Sequence, residues 1–212
     1  MKFYVFDTLD TDNTAMDAVE GTDTLATGPY PSCPRCGGPA GWRDWLPPFV
    51  VELELWRGGF ADVALMVPDL ILSERFCQTY QSAGLSGLKG FEPVSVSKVS
   101  RRHKMTGRQP AYFRARPIES TAGVDSTASG CVWDPAPTCN LCRSGAGAPK
   151  SWKRIVLEPN TWLGEDIFFP RGWKDMLVTD RFKMACDHNR LQVPPLVPAE
   201  EFARDYTAVA AK

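Results

Sequence analysis

Histidine is almost missing from this chain: His103 and His188 are the only two in 212 residues. That scarcity leaves little room for a Ser–His–Asp or Cys–His relay, each of which needs a placed imidazole. Phosphate-cradling loops are missing too. Neither G-x-G-x-x-G nor G-x-x-x-x-G-K-[ST] occurs, and there is no G-x-S-x-G elbow. A strong charge of one sign is also lacking: the formal net charge is −1, which supplies no global field for nucleic acid or an anionic membrane. No apolar run is long enough to span a bilayer. The opening MKFYVFDTLD brings acidic residues before any long apolar stretch, so it does not read as a signal peptide. These absences lead us to expect a cytoplasmic protein without membrane contact, its thiols reduced. The 43% hydrophobic content is enough for a real core, and the length suits one large domain or two small ones.

Cysteine is what stands out. There are seven, an odd count that fits poorly with a complete disulfide framework. Four of them form two C-x-x-C pairs in matching phrases, PYPSCPRCGG from Pro29 and PAPTCNLC from Pro135. The step from Cys33 to Cys139 is 106 residues, and so is the step from Cys36 to Cys142. The same shift lays FVVELELWRG over IVLEPNTWLG, pairing Glu52 with Glu158, Trp56 with Trp162 and Gly58 with Gly164. It also lays DLILSERF over DMLVTDRF, pairing Asp69 with Asp175, Ser73 with Thr179, Arg75 with Arg181 and Phe76 with Phe182. Leu85 meets Leu191 with no gap in between. Three blocks in one register point to an internal duplication with a pseudo-two-fold arrangement. The period is too long for a solenoid.

Each unit reads alike. An extended start (KFYVF or AYFRA) leads into the cysteine turn, and a β-rich run follows (VVELELW or RIVLE). A second apolar stretch comes next, DVALMV or DIFF, and then a short helix. Ser73 and Thr179 are suited to cap that helix, with Glu74 and Asp180 at the positive end of its dipole. Phe76 with Tyr80, and Phe182 with Cys186, then share an inward face. Gly84 and Gly87 stop the first helix, and VPPLVP follows the second. Residues 119–130 and the SGAGAP stretch from Ser144 read as loops, and AEEFARDYTAVAAK as a terminal helix or a frayed tail. The expected fold class is therefore α+β. Two similar β-rich units, residues 1–106 and 107–212, each carry one short helix and one C-x-x-C knuckle and pack as a single globule.

Two such turns can supply the four-thiolate tetrahedron that zinc prefers, so Cys33, Cys36, Cys139 and Cys142 are the candidate metal ligands. Their separation is unusual for a zinc finger, and the duplication accounts for it: equivalent knuckles meet at the dyad and share one ion. A closed set of four makes that ion structural. A redox-active C-x-x-C and cysteines that merely pack remain as alternatives. Cys77 and Cys186 read as small core residues, Cys131 has no matched partner, and His188 reads as a solvated or capping residue.

The CPRCGG turn, the LSERF helix start with the following AGLSGLKGFEPV, CNLCRSG and MLVTDRF together resemble the myxobacterial double-CXXCG paralogous family. The resemblance covers most of the chain, although Arg143 stands where the family glycine belongs. It implies a cytoplasmic immunity protein that binds and blocks a cognate toxin of the Sit type, with Cys33, Cys36, Cys139 and Cys142 as a metal site. It supplies no catalytic residue.

The other residues support binding rather than turnover. Glu52 with Glu158, and Arg75 with Arg181, recur in the repeat and read as structural pairs. The basic run holding Lys98, Arg101, Arg102, Lys104 and Arg108 lacks the stacking aromatics of a nucleic-acid face. Asp7, Asp10, Asp12, Asp17, Glu20 and Asp23 form an acidic loop that could mimic phosphate towards a nuclease toxin or simply be solvated. Trp42, Trp45, Trp152 and Trp173 are candidate interface anchors, whereas Trp56 and Trp162 read as buried packing. The expected function is a non-enzymatic binding protein with one structural zinc and a protein toxin as partner. The alternatives are a zinc-ribbon-like regulatory or nucleic-acid-binding module and an adaptor that docks a small GTPase. Nothing in the sequence sets an oligomeric state.

Overall fold

A computed structural model describes residues 1–6, 16–20, 26–56, 59–101, 108–143 and 149–206. Most of the acidic stretch (Asp7, Asp10, Asp12 and Asp23) lies outside them, as do Arg102, His103, Lys104 and the segment 144–148. In chain order, the strands before the first helix are β1 (Phe3–Phe6), β2 (Met16–Glu20), β3 (Val50–Leu55), β4 (Val63–Met66) and β5 (Asp69–Ser73). Helix α1 (Glu74–Ser82) follows, then β6 (Leu88–Pro93), β7 (Ser95–Arg101), β8 (Tyr112–Gly123), β9 (Ser151–Trp152), β10 (Ile167–Arg171) and β11 (Leu177–Thr179). Helix α2 (Asp180–His188), β12 (Leu196–Pro198) and β13 (Arg204–Asp205) are the last elements among the described residues. The fold is α+β, mostly sheet, with two short helices in one globule.

The main sheet is two four-stranded runs joined edge to edge. One runs β12-β1-β11-β10; the other has β8 pairing with both β6 and β5, and β5 with β4. They join where the second half of β8 lies parallel to β10, pairing Ile118 with Phe168. The first strand of each half of the chain sits in the other half's run. β1 pairs with β11 and β12 (Phe3 opposite Thr179, Val5 opposite Val197). β8 pairs with β5 and β6 (Tyr112 opposite Ser73, Lys89 opposite Arg116).

The two helices start and stop in the same way. Ser73 and Thr179 are extended N-caps whose hydroxyls accept from the N–H groups of Phe76 and Phe182 at 3.1 and 3.2 Å. Each hydroxyl donates onward to a buried aspartate, Ser73 to Asp62 at 2.7 Å and Thr179 to Asp166 at 2.9 Å. Arg75 pairs with Asp62, and Arg181 with Asp166. The remaining bonds cross between the halves of the chain. Asp62 accepts from the N–H of Gln192 at 2.8 Å, and Asp166 from that of Ser86 at 3.0 Å. Phe76 and Phe182 meet with ring centroids 6.0 Å apart, inside a core cluster that also holds Leu70, Leu72, Ile167 and Val178.

Several expectations are corrected. Residues 119–123 are strand, not loop. β10 pairs with Glu119 and Gly123 across a bulge, and the Ser120 and Thr121 hydroxyls donate to Glu165 Oε1 and the Thr161 carbonyl, so the small polar residues are satisfied within a sheet. RIVLE forms only an isolated bridge, Val124 to Leu157, whereas VVELEL forms β3 between β2 and β7. The aspartates that receive the two caps, Asp62 and Asp166, stand 104 positions apart, whereas the caps Ser73 and Thr179 stand 106 apart. The end of the chain is neither helix nor frayed tail as far as Tyr206. Arg204–Asp205 pair with Ser151–Trp152, and Arg204 lies over the Phe202 ring at 4.1 Å. Trp45, Trp152 and Trp173 are buried and Trp42 is half-buried against Phe169, so these residues are packing rather than exposed anchors.

Candidate metal centre

The first knuckle is the tip of a narrow two-armed loop. Thr27 bridges Trp45, Ser32 bridges Pro39, and the Ala40 N–H donates to the Pro31 carbonyl at 2.8 Å. Beneath the tip, buried Trp45 packs edge-on against Phe49 with centroids 5.0 Å apart. The arm is tied to the main sheet by the Trp42 N–H, which donates to Glu119 Oε1 at 3.0 Å. At the turn, the Gly37 N–H closes onto the Cys33 carbonyl at 2.9 Å with φ of 71°.

The second knuckle repeats this closure. The Arg143 N–H donates to the Cys139 carbonyl at 2.8 Å, and Arg143 has φ of 55°. A non-glycine residue pays roughly 1–2 kcal/mol for that left-handed conformation. Here the side chain compensates. It is buried, its guanidinium donates to the Val124 carbonyl, and it lies 5.5 Å from the Trp133 ring centroid and 5.9 Å from that of Trp173. This anchor fixes the second turn to the β8 end of the main sheet.

The structure brings together all four cysteines expected as ligands. The Sγ atoms of Cys33, Cys36, Cys139 and Cys142 lie within 4.8 Å of one another. Cys33 and Cys139 are buried, Cys142 is half-buried and Cys36 is exposed. The Cys36 and Cys142 sulfurs are 3.6 Å apart, far beyond the roughly 2.05 Å of a disulfide. They are close to the edge of a tetrahedron built on metal–sulfur bonds of about 2.3 Å, which is about 3.8 Å. Backbone N–H groups of Cys36 and then Arg35 hold the Cys33 thiol below its ordinary range. Those of Cys142 and Leu141 do the same for Cys139. Amides aimed at sulfur favour the thiolate, which is the ligating form. Four soft donors in this arrangement can hold a metal ion and leave no open position in a tetrahedral shell.

The other three cysteines stand apart. Burial pushes the Cys77 thiol up to about 11 and that of Cys186 to about 12, as suits neutral core residues, and burial also raises Cys131. His188 is exposed in the last turn of α2. Glu52 and Glu158 do not meet: Glu52 pairs with Lys98 at 3.0 Å, and Glu158 pairs with Arg171 and stands 3.7 Å from Arg143.

Sequence reasoning missed Asp62 and Asp166, the receivers of both helix caps. Each opens an apolar stretch, which was a usable signal, but their spacing breaks the 106-residue register. It also missed the buried network in which Arg114 and Arg116 both pair with Asp69, at 2.8 and 2.7 Å.

No family model matches this chain, and no curated protein matches it either. Among the described residues, no helix is long and apolar enough to cross a membrane.

Proposed function

We propose that the chain is a non-enzymatic binding scaffold whose two knuckles are joined by one structural zinc ion. The observation that carries this reading is the convergence of two C-x-x-C sulfur pairs, 106 residues apart in sequence, into one cluster within 4.8 Å. Zinc is the metal of choice because four cysteine thiolates and no open site match its structural chemistry. Cys33, Cys36, Cys139 and Cys142 would hold it, and its role would be to tie two distant loops into one rigid edge.

The same reading takes the chain as a duplicated unit, with residues 1–106 and 107–212 exchanging their first strands. Support comes from the reciprocal bonds of Asp62 to Gln192 and of Asp166 to Ser86, and from the meeting of Phe76 with its counterpart Phe182. The biological role proposed is immunity: a cytoplasmic protein that neutralises a cognate toxin by occlusion. That role rests on the resemblance of the paired C-x-x-C turns and of the LSERF and LVTDRF helix starts to the double-CXXCG family. Inhibition by occlusion needs shape and charge matching but no reactive group. On the basic side, Lys98 is ion-paired with Glu52, which gives no support to a nucleic-acid face there.

The test is co-expression with the product encoded beside this chain. Stable one-to-one co-purification, and rescue of cells from that product, are expected. Cells equally harmed with and without this chain would remove the immunity reading and leave the metal scaffold standing.

A further inference from the structure

Beside the second knuckle lies a cavity of about 340 Å³, lined in part by Cys142 of the four-cysteine cluster. Its volume falls at the lower end of the roughly 300–1,000 Å³ typical of small-molecule sites. One wall comes from the arm of the first knuckle, including Ala40 and Trp42; the other includes Arg143, Trp152, Phe169 and Trp173. The cavity therefore straddles the seam that the four thiolates close.

Its lining is aromatic, with buried donors that lack acceptors. Trp152, Trp173 and Arg143 are 3%, 5% and 6% exposed. Within them, Trp152 Nε1, Trp173 Nε1 and one terminal guanidinium nitrogen of Arg143 have no hydrogen-bond partner. Buried N–H groups are nearly always paired, so three unpaired ones on residues that line a single cavity call for an acceptor from outside the chain. The neighbouring Trp133 shows the contrast: its indole N–H reaches Ser126 Oγ at 3.4 Å.

Charge points the same way. Arg143 stands 3.7 Å from Glu158, beyond hydrogen-bond reach, and that carboxylate is already paired with Arg171. Glu119 and Lys174 border the cavity but are exposed, and Asp175 is half-buried. The rim thus carries two carboxylates and one lysine, so it is acidic by one charge, while the buried end carries the Arg143 guanidinium.

We propose that this cavity binds a small, flat organic acid, its apolar body among Trp42, Phe169 and Trp173 and its carboxylate accepting from Arg143 and the indole N–H groups. The aromatic walls suit a flat apolar body. The fixed donors select a carboxylate over its neutral analogue, because a site built around donors loses most when the acceptor is weak. The site is independent of the immunity reading and would survive its failure.

The probe is naphthalene-2-carboxylate, titrated into the metal-loaded full chain by calorimetry, with naphthalene-2-carboxamide as the neutral control. The acid should bind saturably at one site and at least about tenfold more tightly than the amide. The indole N–H resonances of Trp152 and Trp173, assigned with Trp→Phe variants, should both shift. Ala40→Phe, which fills the cavity without removing a donor, should weaken the acid at least about tenfold at unchanged metal content. Equal binding of acid and amide, unmoved indole signals, or no saturable binding into the low millimolar range (a cavity that holds water only) would overturn the proposal. If Ala40→Phe does not fold, the acid–amide comparison and the indole shifts decide the matter.

Discussion

Arg143 shows how one residue can serve both backbone and core. Its position in the second knuckle has φ of 55°, matching Gly37 in the first at 71°. Its side chain is held by the Val124 carbonyl and two tryptophans. Removing the side chain while easing the backbone separates these effects. Arg143→Gly should be more stable than Arg143→Ala by about 1 kcal/mol, since only glycine adopts this φ without a steric penalty. Denaturant midpoints of the two variants check this, and equal midpoints would mean the turn is unstrained. The sequence registered the missing glycine, but it held no sign that the arginine turns inward, because that depends on Trp133 and Trp173 arriving from elsewhere. Cys186 offers a second test. Burial raises its thiol from 9.0 to about 12, so between those values the unfolded chain loses a proton that the folded chain keeps. Stability should therefore be intact below pH 9.0 and fall as pH rises towards 12, with a slope of up to about 1.4 kcal/mol per pH unit from this group. Cys186→Ala should flatten that slope in pH-dependent urea melts; an unchanged slope would assign the effect elsewhere.

At the scale of elements, the two strand-to-helix junctions carry the same set of bonds. Their caps were legible: Ser73 and Thr179 stand immediately before acidic first turns, and each hydroxyl accepts as capping chemistry requires. The aspartates beneath were not legible, because Asp62 and Asp166 act through tertiary approach rather than local pattern. Each accepts from a cap hydroxyl, an arginine and an amide of the other half. Asp62→Ala and Asp166→Ala should each cost about 2–3 kcal/mol, because several charge-assisted bonds go at once while the arginines, half exposed, return to water. Thermal melts should give the two variants similar losses. A large loss in one and none in the other would show that the two junctions are not energetic equivalents. The misread elements have the same origin. VVELEL gains strands on both sides and becomes β3, whereas RIVLE finds only a single bridge. Residues 119–123, polar and small, become strand because β10 lies beside them. Pattern sets what a segment can do, and its neighbours decide which option is taken.

At the scale of the whole molecule, β1 is paired by strands that come after residue 107, and the first half of β8 by β5 and β6, which precede it, while its second half lies beside β10. A chain divided at that point should yield two fragments, neither of which folds alone, but which assemble when mixed. Circular dichroism of each fragment and of the mixture tests this, and a fragment that melts cooperatively by itself would contradict it. The four-cysteine cluster joins the same two halves at another place, and it was the most legible feature of all: two C-x-x-C pairs in equal steps were enough to name the four thiols that come together. What the sequence could not supply was the distance between the knuckles, which depends on how Trp42, Glu119 and Arg143 tie each loop to one sheet. The central claim, that one zinc ion bridges both knuckles, is tested most directly by X-ray absorption at the zinc edge together with metal quantification. The account predicts one zinc per chain with four sulfur neighbours at about 2.3 Å, lost in Cys36→Ser and equally in Cys142→Ser. Absence of bound zinc, or a zinc retained with fewer than four sulfurs and indifferent to one of the two knuckles, would contradict it.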